Sequence, residues 1–165
     1  KELFGAVEGR TIAFVGDGNN MARSLAVGCY ILGARFVLAT PQGFEFTQAF
    51  LDRLRQQPGT GTVEVTRDPA AAVRNADIIY TDVWTSMGQE SETERRRGAF
   101  AGFQVNAQLM RAAPPHAKVM HCLPAHRGEE ITSDVIDGTQ SVVIPQAANR
   151  LHAQKALLVW LLGKE

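Results

Sequence analysis

Residues 11–18, TIAFVGDG, open an arrangement that leaves few folds available to the chain. An apolar run stops at a glycine, and over residues 19–33 Met21, Leu25, Cys29 and Leu32 then recur at helical spacing. That reads as strand, tight turn, helix. The pattern repeats: residues 34–39 form a second strand closed by Pro41, residues 46–56 a helix ended by the turn PGTG, and residues 62–66 a short third strand. Asp68 caps a helix over residues 70–74 with Pro69 in its first position, and residues 76–80 make a fourth strand. Two further β-branched runs, 118–121 and 141–144, flank a helix starting near Thr132 or Ser133, and residues 146–162 make a long final helix. Strands joined by helices of this length require crossover connections. The predicted fold is therefore α/β, a three-layer αβα sandwich around a mostly parallel, doubly wound sheet.

A chain of 165 residues can bury one such core. Lys plus Arg equals Asp plus Glu at 17 each, so no overall field recruits nucleic acid or an acidic membrane surface. The most basic spot, RRR at 95–97, follows Glu90, Glu92 and Glu94 and reads as a solvated helix face with internal ion pairs. Two cysteines, Cys29 and Cys122, exclude a disulfide framework, and neither has zinc-finger spacing. A reducing, cytoplasmic setting is expected. The longest apolar run, 156–162, falls far short of the ~20 residues that span a bilayer, and no signal peptide opens the sequence. The chain starts at Lys1 and runs straight into Leu3-Phe4, as expected of a piece of something longer.

In doubly wound sheets ligands bind beyond the carboxyl ends of the strands. That rule brings four segments together: GDGNN at 16–20, Asp82 to Gly88, HCLP at 121–124 and residues 145–150. The G-x-G of the first would suit a dinucleotide, but Met21 occupies the third glycine position and no acid ends the second strand. Asn19 reads as a helix cap, which leaves Asn20 in the first turn beside free N–H groups suited to a carboxylate. Cys122 is either a small buried hydrophobe or a site thiol. Its neighbour His121 faces the other side of the strand, so adjacency does not make it a base. Arg150 is either a surface charge or a planar fork for a phosphate or carboxylate. Leu157, Leu158, Trp160, Leu161 and Leu162 exceed what one small sheet can bury, which calls for a partner surface.

Taken in order, GDGNN, DVWTSMGQE, HCLPAHRGEE and ANRLHAQKA resemble the carboxyl-terminal half of the ornithine carbamoyltransferase family. The resemblance covers nearly the whole chain. It implies a Rossmann-like ornithine-binding domain over residues 1–165, with the final helix, about 146–163, packing on a carbamoyl-phosphate domain whose Ser-Thr-Arg-Thr segment does not occur here. The implied reaction moves the carbamoyl group of carbamoyl phosphate to the δ-amine of L-ornithine, giving L-citrulline and phosphate without a cofactor or metal. By resemblance, Asn19 and Asn20 bind the amino-acid end of ornithine, Asp82 its amine, and Ser86 and Met87 belong to a closing loop. Cys122 is implied as proton acceptor, Leu123 offers its backbone carbonyl to the carbamoyl NH2, and Arg150 reaches carbamoyl phosphate. Where the family carries an acidic residue ahead of Asn-Arg, this chain has Ala148. The resemblance also implies a cytoplasmic homotrimer for the full-length enzyme and no turnover by this half alone. The alternatives are a sibling enzyme acting on putrescine or an N-acylornithine, a nucleotide-binding oxidoreductase domain, and a binding module without catalysis.

Overall fold

A computed structural model of the chain describes residues 1–85 and 90–163. Among these residues five strands run parallel in one sheet: β1 (Thr11–Val15), β2 (Arg35–Ala39), β3 (Thr62–Thr66), β4 (Ile78–Thr81) and β5 (Lys118–His121), in the spatial order β3-β2-β1-β4-β5. The chain builds outward from β1 in one direction, returns, and continues from β4 in the other. Between β1 and β4 the direction of winding therefore reverses, and the crevice beyond their carboxyl ends is where such sheets take ligands. Thr81 closes the base of that crevice, its hydroxyl donating to the Val15 carbonyl at 2.7 Å.

Strand alternation assigns the core residues to two layers. On one face Phe14, Phe36, Leu38 and Tyr80 pack with Ala22, Ala26 and Cys29 of α1 (Asn20–Ile31) and with Phe50 and Leu51 of α2 (Gln48–Arg55). On the other, Ala13, Val15, Val37, Ile79 and Val119 meet α3 (Pro69–Val73), α4 (Thr93–Phe100), α5 (Ala107–Ala112) and α6 (Ser133–Ile136). The predicted αβα sandwich is thus present. Caps fall where the sequence places them: Asn19 accepts from Ala22 N at 3.0 Å, and Asp68 from Ala71 N at 3.1 Å with Pro69 opening α3.

Two expectations are corrected. Residues 141–144 do not form a sixth strand; Ser141 makes one isolated parallel bridge to Val119, and helix α7 (Val143–Leu162) has already begun. The β-branched Val142-Val143-Ile144 suggested a strand, but Pro145 lies in the first helical turn, where a missing N–H costs nothing. Nor is the arginine run wholly solvated. Arg95 and Arg97 are exposed, whereas Arg96 is buried, with its guanidinium donating to Asp17 at 2.6 Å, Glu92 at 3.1 Å and the Trp84 carbonyl at 2.9 Å. The internal pairs expected of a helix do occur, Glu92 with Arg96 and Glu94 with Arg97. What turns Arg96 inward is the partly buried Asp17 from the β1 turn, which the sequence places far away.

From residue 149 on, α7 leaves the body with every described residue exposed. Its Val159, Trp160 and Leu162 are 71%, 76% and 76% accessible. No helix among the described residues is long and apolar enough to cross a membrane.

Candidate active site

The glycine turn after β1 serves the protein itself. A Cβ on Gly18 would lie 2.8 Å from the Phe44 carbonyl oxygen, and the Gly18 N–H already donates to that oxygen at 2.9 Å. Asp17 is held by Arg96. Close backbone contact, rather than a pyrophosphate, accounts for G-x-G here, and the oxidoreductase alternative loses its motif.

Asn19 does two jobs. Its Oδ1 caps α1, and its Nδ2 donates to Asp82 Oδ2 at 2.9 Å. Asp82 follows β4, on the far side of the crevice from α1. Its Oδ1 accepts from Val83 N at 2.8 Å and from the Cys122 thiol, with Sγ 2.9 Å away. Three donors from the β1 turn, the β4 end and the β5 end thus converge on one carboxylate. This is the juxtaposition expected from the sheet rule.

Cys122 is half-buried against the α1 face, while His121 is buried on the opposite face, as strand alternation requires. Burial pushes the Cys122 thiol up to about 12, helped by its hydrogen bond to Asp82 and by that group's charge. The ligand-free site therefore holds a thiol that donates and a carboxylate that accepts. This division has a measurable consequence. With the thiol at about 12, on the order of one site in ten thousand carries a thiolate at pH 8. Iodoacetamide labelling of Cys122 is expected to be slow there and to quicken about tenfold per pH unit up to pH 11. Asp82→Asn removes the charge while keeping an acceptor oxygen, and should speed labelling at pH 8, read by mass spectrometry of the Cys122 peptide. Unchanged labelling in that variant would show that the pair does not interact.

Of the other expected site residues, Asn20 and Leu123 adjoin Asn19 and Cys122 in the chain. Asn20 opens α1 with its side chain exposed and unpaired among the described residues. Leu123 has φ 56, a left-handed conformation costly for a branched residue. Arg150 is exposed on α7, and the neighbouring Asn149 donates to Glu2 at 3.0 Å. Trp84 is buried and stacked on Phe100 with ring centroids 5.9 Å apart. Ser86 and Met87 lie outside the described residues.

Three contributors were not singled out from the sequence. Gln146 joins α7 to the sheet by accepting from His121 N at 3.1 Å and donating to the Tyr80 hydroxyl at 2.9 Å. Glu130 is buried against His121, and Arg96 ties the crevice loops together. A Gln in a helix, a second Glu beside Glu129 and the middle of three arginines carry no local signal of their roles. Ligand atoms of Asp82, His121 and Cys122 lie within 4.8 Å of one another. The His121 nitrogens are taken by Leu123 N–H and Glu130, however, and the thiol by Asp82, so these groups satisfy one another without an ion.

A carboxylate and a polarised thiol at the mouth of a crevice, beside the N-terminus of a twelve-residue helix, can take an amine at one end and a carboxylate at the other. Comparisons with known proteins point to one family. The model of the family "Aspartate/ornithine carbamoyltransferase, Asp/Orn binding domain" matches residues 8–161. The ornithine carbamoyltransferase of Symbiobacterium thermophilum is 53% identical over 164 residues, 98% of this chain and 53% of that protein. The anabolic ornithine carbamoyltransferase of Pyrococcus furiosus is 52% identical over 98% of this chain and 52% of its own length. Among solved structures, ornithine carbamoyltransferase from Pyrococcus furiosus superposes with a TM-score of 0.88 at 51% identity, covering 96% of this chain and 51% of that one. That from Gloeobacter violaceus gives 0.88 at 46% identity, covering 98% and 54%. The chain spans about half the length of these relatives.

Proposed function

The chain belongs to the aspartate/ornithine carbamoyltransferase family, and from that premise we propose that it is the amino-acid-binding half of an ornithine carbamoyltransferase. The reaction is transfer of the carbamoyl group of carbamoyl phosphate to the δ-amine of L-ornithine, giving L-citrulline and phosphate. The observation that carries this reading is Asp82, set in the crevice with Asn19 and Cys122 donating to it. A carboxylate there attracts the side-chain cation of ornithine and repels the second carboxylate of aspartate, the other amino acid of the family's name.

In this reading Asn20 and the first-turn N–H groups of α1 receive the α-carboxylate, with Asn19 in support. Asp82 receives the δ-ammonium and draws off the proton that must leave before the nitrogen can attack. The N–C bond then forms at the carbamoyl carbon, the C–O bond to phosphate breaks, and phosphate departs with its electron pair, taking up the second proton that the nitrogen sheds as the amide forms. Cys122 works with Asp82 as one unit: a cation arriving beside it opposes the influences that hold its proton, so the proton can be shared across the pair. Leu123 offers its carbonyl to the carbamoyl NH2, and Arg150 reaches the phosphate end. Ser86 and Met87 belong to the loop that closes over ornithine and excludes water.

The exposed apolar face of α7 is assigned to contact with the carbamoyl-phosphate half, which supplies most of the carbonyl polarisation. The full-length enzyme is then a cytoplasmic trimer, and this half alone binds ornithine weakly without turnover. An assay of the full-length enzyme with carbamoyl phosphate and ornithine, putrescine or N-acetylornithine tests the assignment. Ornithine is expected to give the highest kcat/KM, because putrescine lacks the α-carboxylate, while N-acetylornithine keeps that group and the δ-cation but carries an uncharged, bulkier acyl group on its α-nitrogen. Preference for putrescine would overturn the substrate.

A further inference from the structure

His121 and Glu130 form a fully buried pair behind the site, and neither touches the crevice chemistry directly. Both side chains are 0% exposed, and His121 Nε2 lies 3.0 Å from Glu130 Oε1. The same carboxylate oxygen accepts from the His126 N–H at 2.6 Å, while Oε2 is buried with no hydrogen-bond partner among the described residues. Burying a carboxylate so incompletely satisfied is expensive, and an apolar pair would pack the same space at less cost. On the other side of the ring, His121 Nδ1 accepts from the Leu123 N–H at 2.8 Å. Glu130 therefore fixes the tautomer: with Nε2 carrying the proton, the Nδ1 lone pair is left for the backbone.

That backbone is the strained one. Leu123 sits at φ 56, and between it and His121 lies Cys122, whose thiol reaches Asp82. Resting on the carbamoyl-transfer reading above, we propose that Glu130 and His121 are positioning residues for the reaction. They hold the Leu123 backbone in its left-handed conformation and so set the Leu123 carbonyl and the Cys122 thiol against the reacting groups.

The test separates the two ends of the ring. In the full-length enzyme, His121→Asn places an amide oxygen near the Nδ1 position and can still accept from Leu123, although it abandons Glu130. His121→Gln reaches the Nε2 position and keeps Glu130 partnered, but it cannot serve Leu123. Positioning predicts that His121→Gln loses about 10²-fold in kcat with a much smaller change in ornithine KM, whereas His121→Asn stays within about tenfold of wild type. A purely structural role predicts the reverse order, since the asparagine leaves a bare carboxylate in the core. Equal losses, or the reverse order, would overturn the proposal. Glu130→Gln, which retains the acceptor oxygen, should recover most of the kcat lost in Glu130→Leu; no recovery counts against the tautomer argument.

A second readout does not depend on turnover. The ¹⁵N shifts of His121 should show a protonated Nε2 and an unprotonated Nδ1, and an imidazolium or the opposite tautomer would overturn the proposal. If the wild-type enzyme formed no citrulline, the functional assignment would fall while the ring spectrum still decided the tautomer.

Discussion

Asp82→Asn in the full-length enzyme should lower kcat for citrulline formation about 10³-fold while leaving the fold intact. The size of the effect follows from the roles that converge on this carboxylate. Asn19 Nδ2, Val83 N and the Cys122 thiol all donate to it. An asparagine keeps the shape and one acceptor oxygen, so the loops stay together. It lacks the negative charge that, in the proposed reaction, binds a δ-ammonium, and the basicity to take its proton. Because both losses act on the amine, kcat/KM for ornithine should fall at least as far as kcat, and the KM for carbamoyl phosphate should move little. An unfolding midpoint near wild type would separate this chemical loss from damage to the domain. Retained turnover would mean that some other group activates the amine.

The second large effect is on stability. Arg96→Met should cost about 3 kcal/mol or more, because it strands Asp17 behind the crevice. The side chains of Arg96 and Asp17 are 7% and 15% exposed, with 2.6 Å between nitrogen and oxygen. Asp17→Asn in the same chain should restore part of the loss, since the abandoned charge goes with it; urea unfolding of the single and double variants measures the coupling. Arg97→Met, which removes only exposed pairs with Glu94 and Glu129, should leave the unfolding midpoint close to that of the wild type. Arg96 also joins the Trp84 carbonyl to Glu92 on either side of residues 86–89. Its loss should therefore raise the ornithine KM as well as lower stability, whereas a residue that only stabilised the core would change the second alone.

Much of the architecture was legible because local signals and tertiary structure agree. The run at 11–15 is apolar since β1 is the central strand, covered on both faces, and Asn19 and Asp68 mark helix starts because their side chains bond the first free N–H groups. The sixth strand failed where local preference and context diverged: valine and isoleucine favour strands, yet Pro145 fits a helix's first turn and Gln146 binds the sheet as a helical residue. The sheet rule brought Asp82 and Cys122 to one edge and left their bond to be seen only in the fold. The same is true of Arg96 and Glu130, whose roles arise from partners that strand order alone delivers. Asp17 precedes Arg96 by 79 residues, and no local pattern in the sequence announces that pairing.

The most direct measurement is a structure of the full-length enzyme with L-ornithine bound beside an unreactive analogue of carbamoyl phosphate. The δ-nitrogen is expected about 3 Å from the Asp82 carboxylate and within reach of Cys122 Sγ, with the α-carboxylate at the first turn of α1 beside Asn20. An ornithine lying with its α-amino group at Asp82, or one bound outside the crevice between β1 and β4, would contradict it.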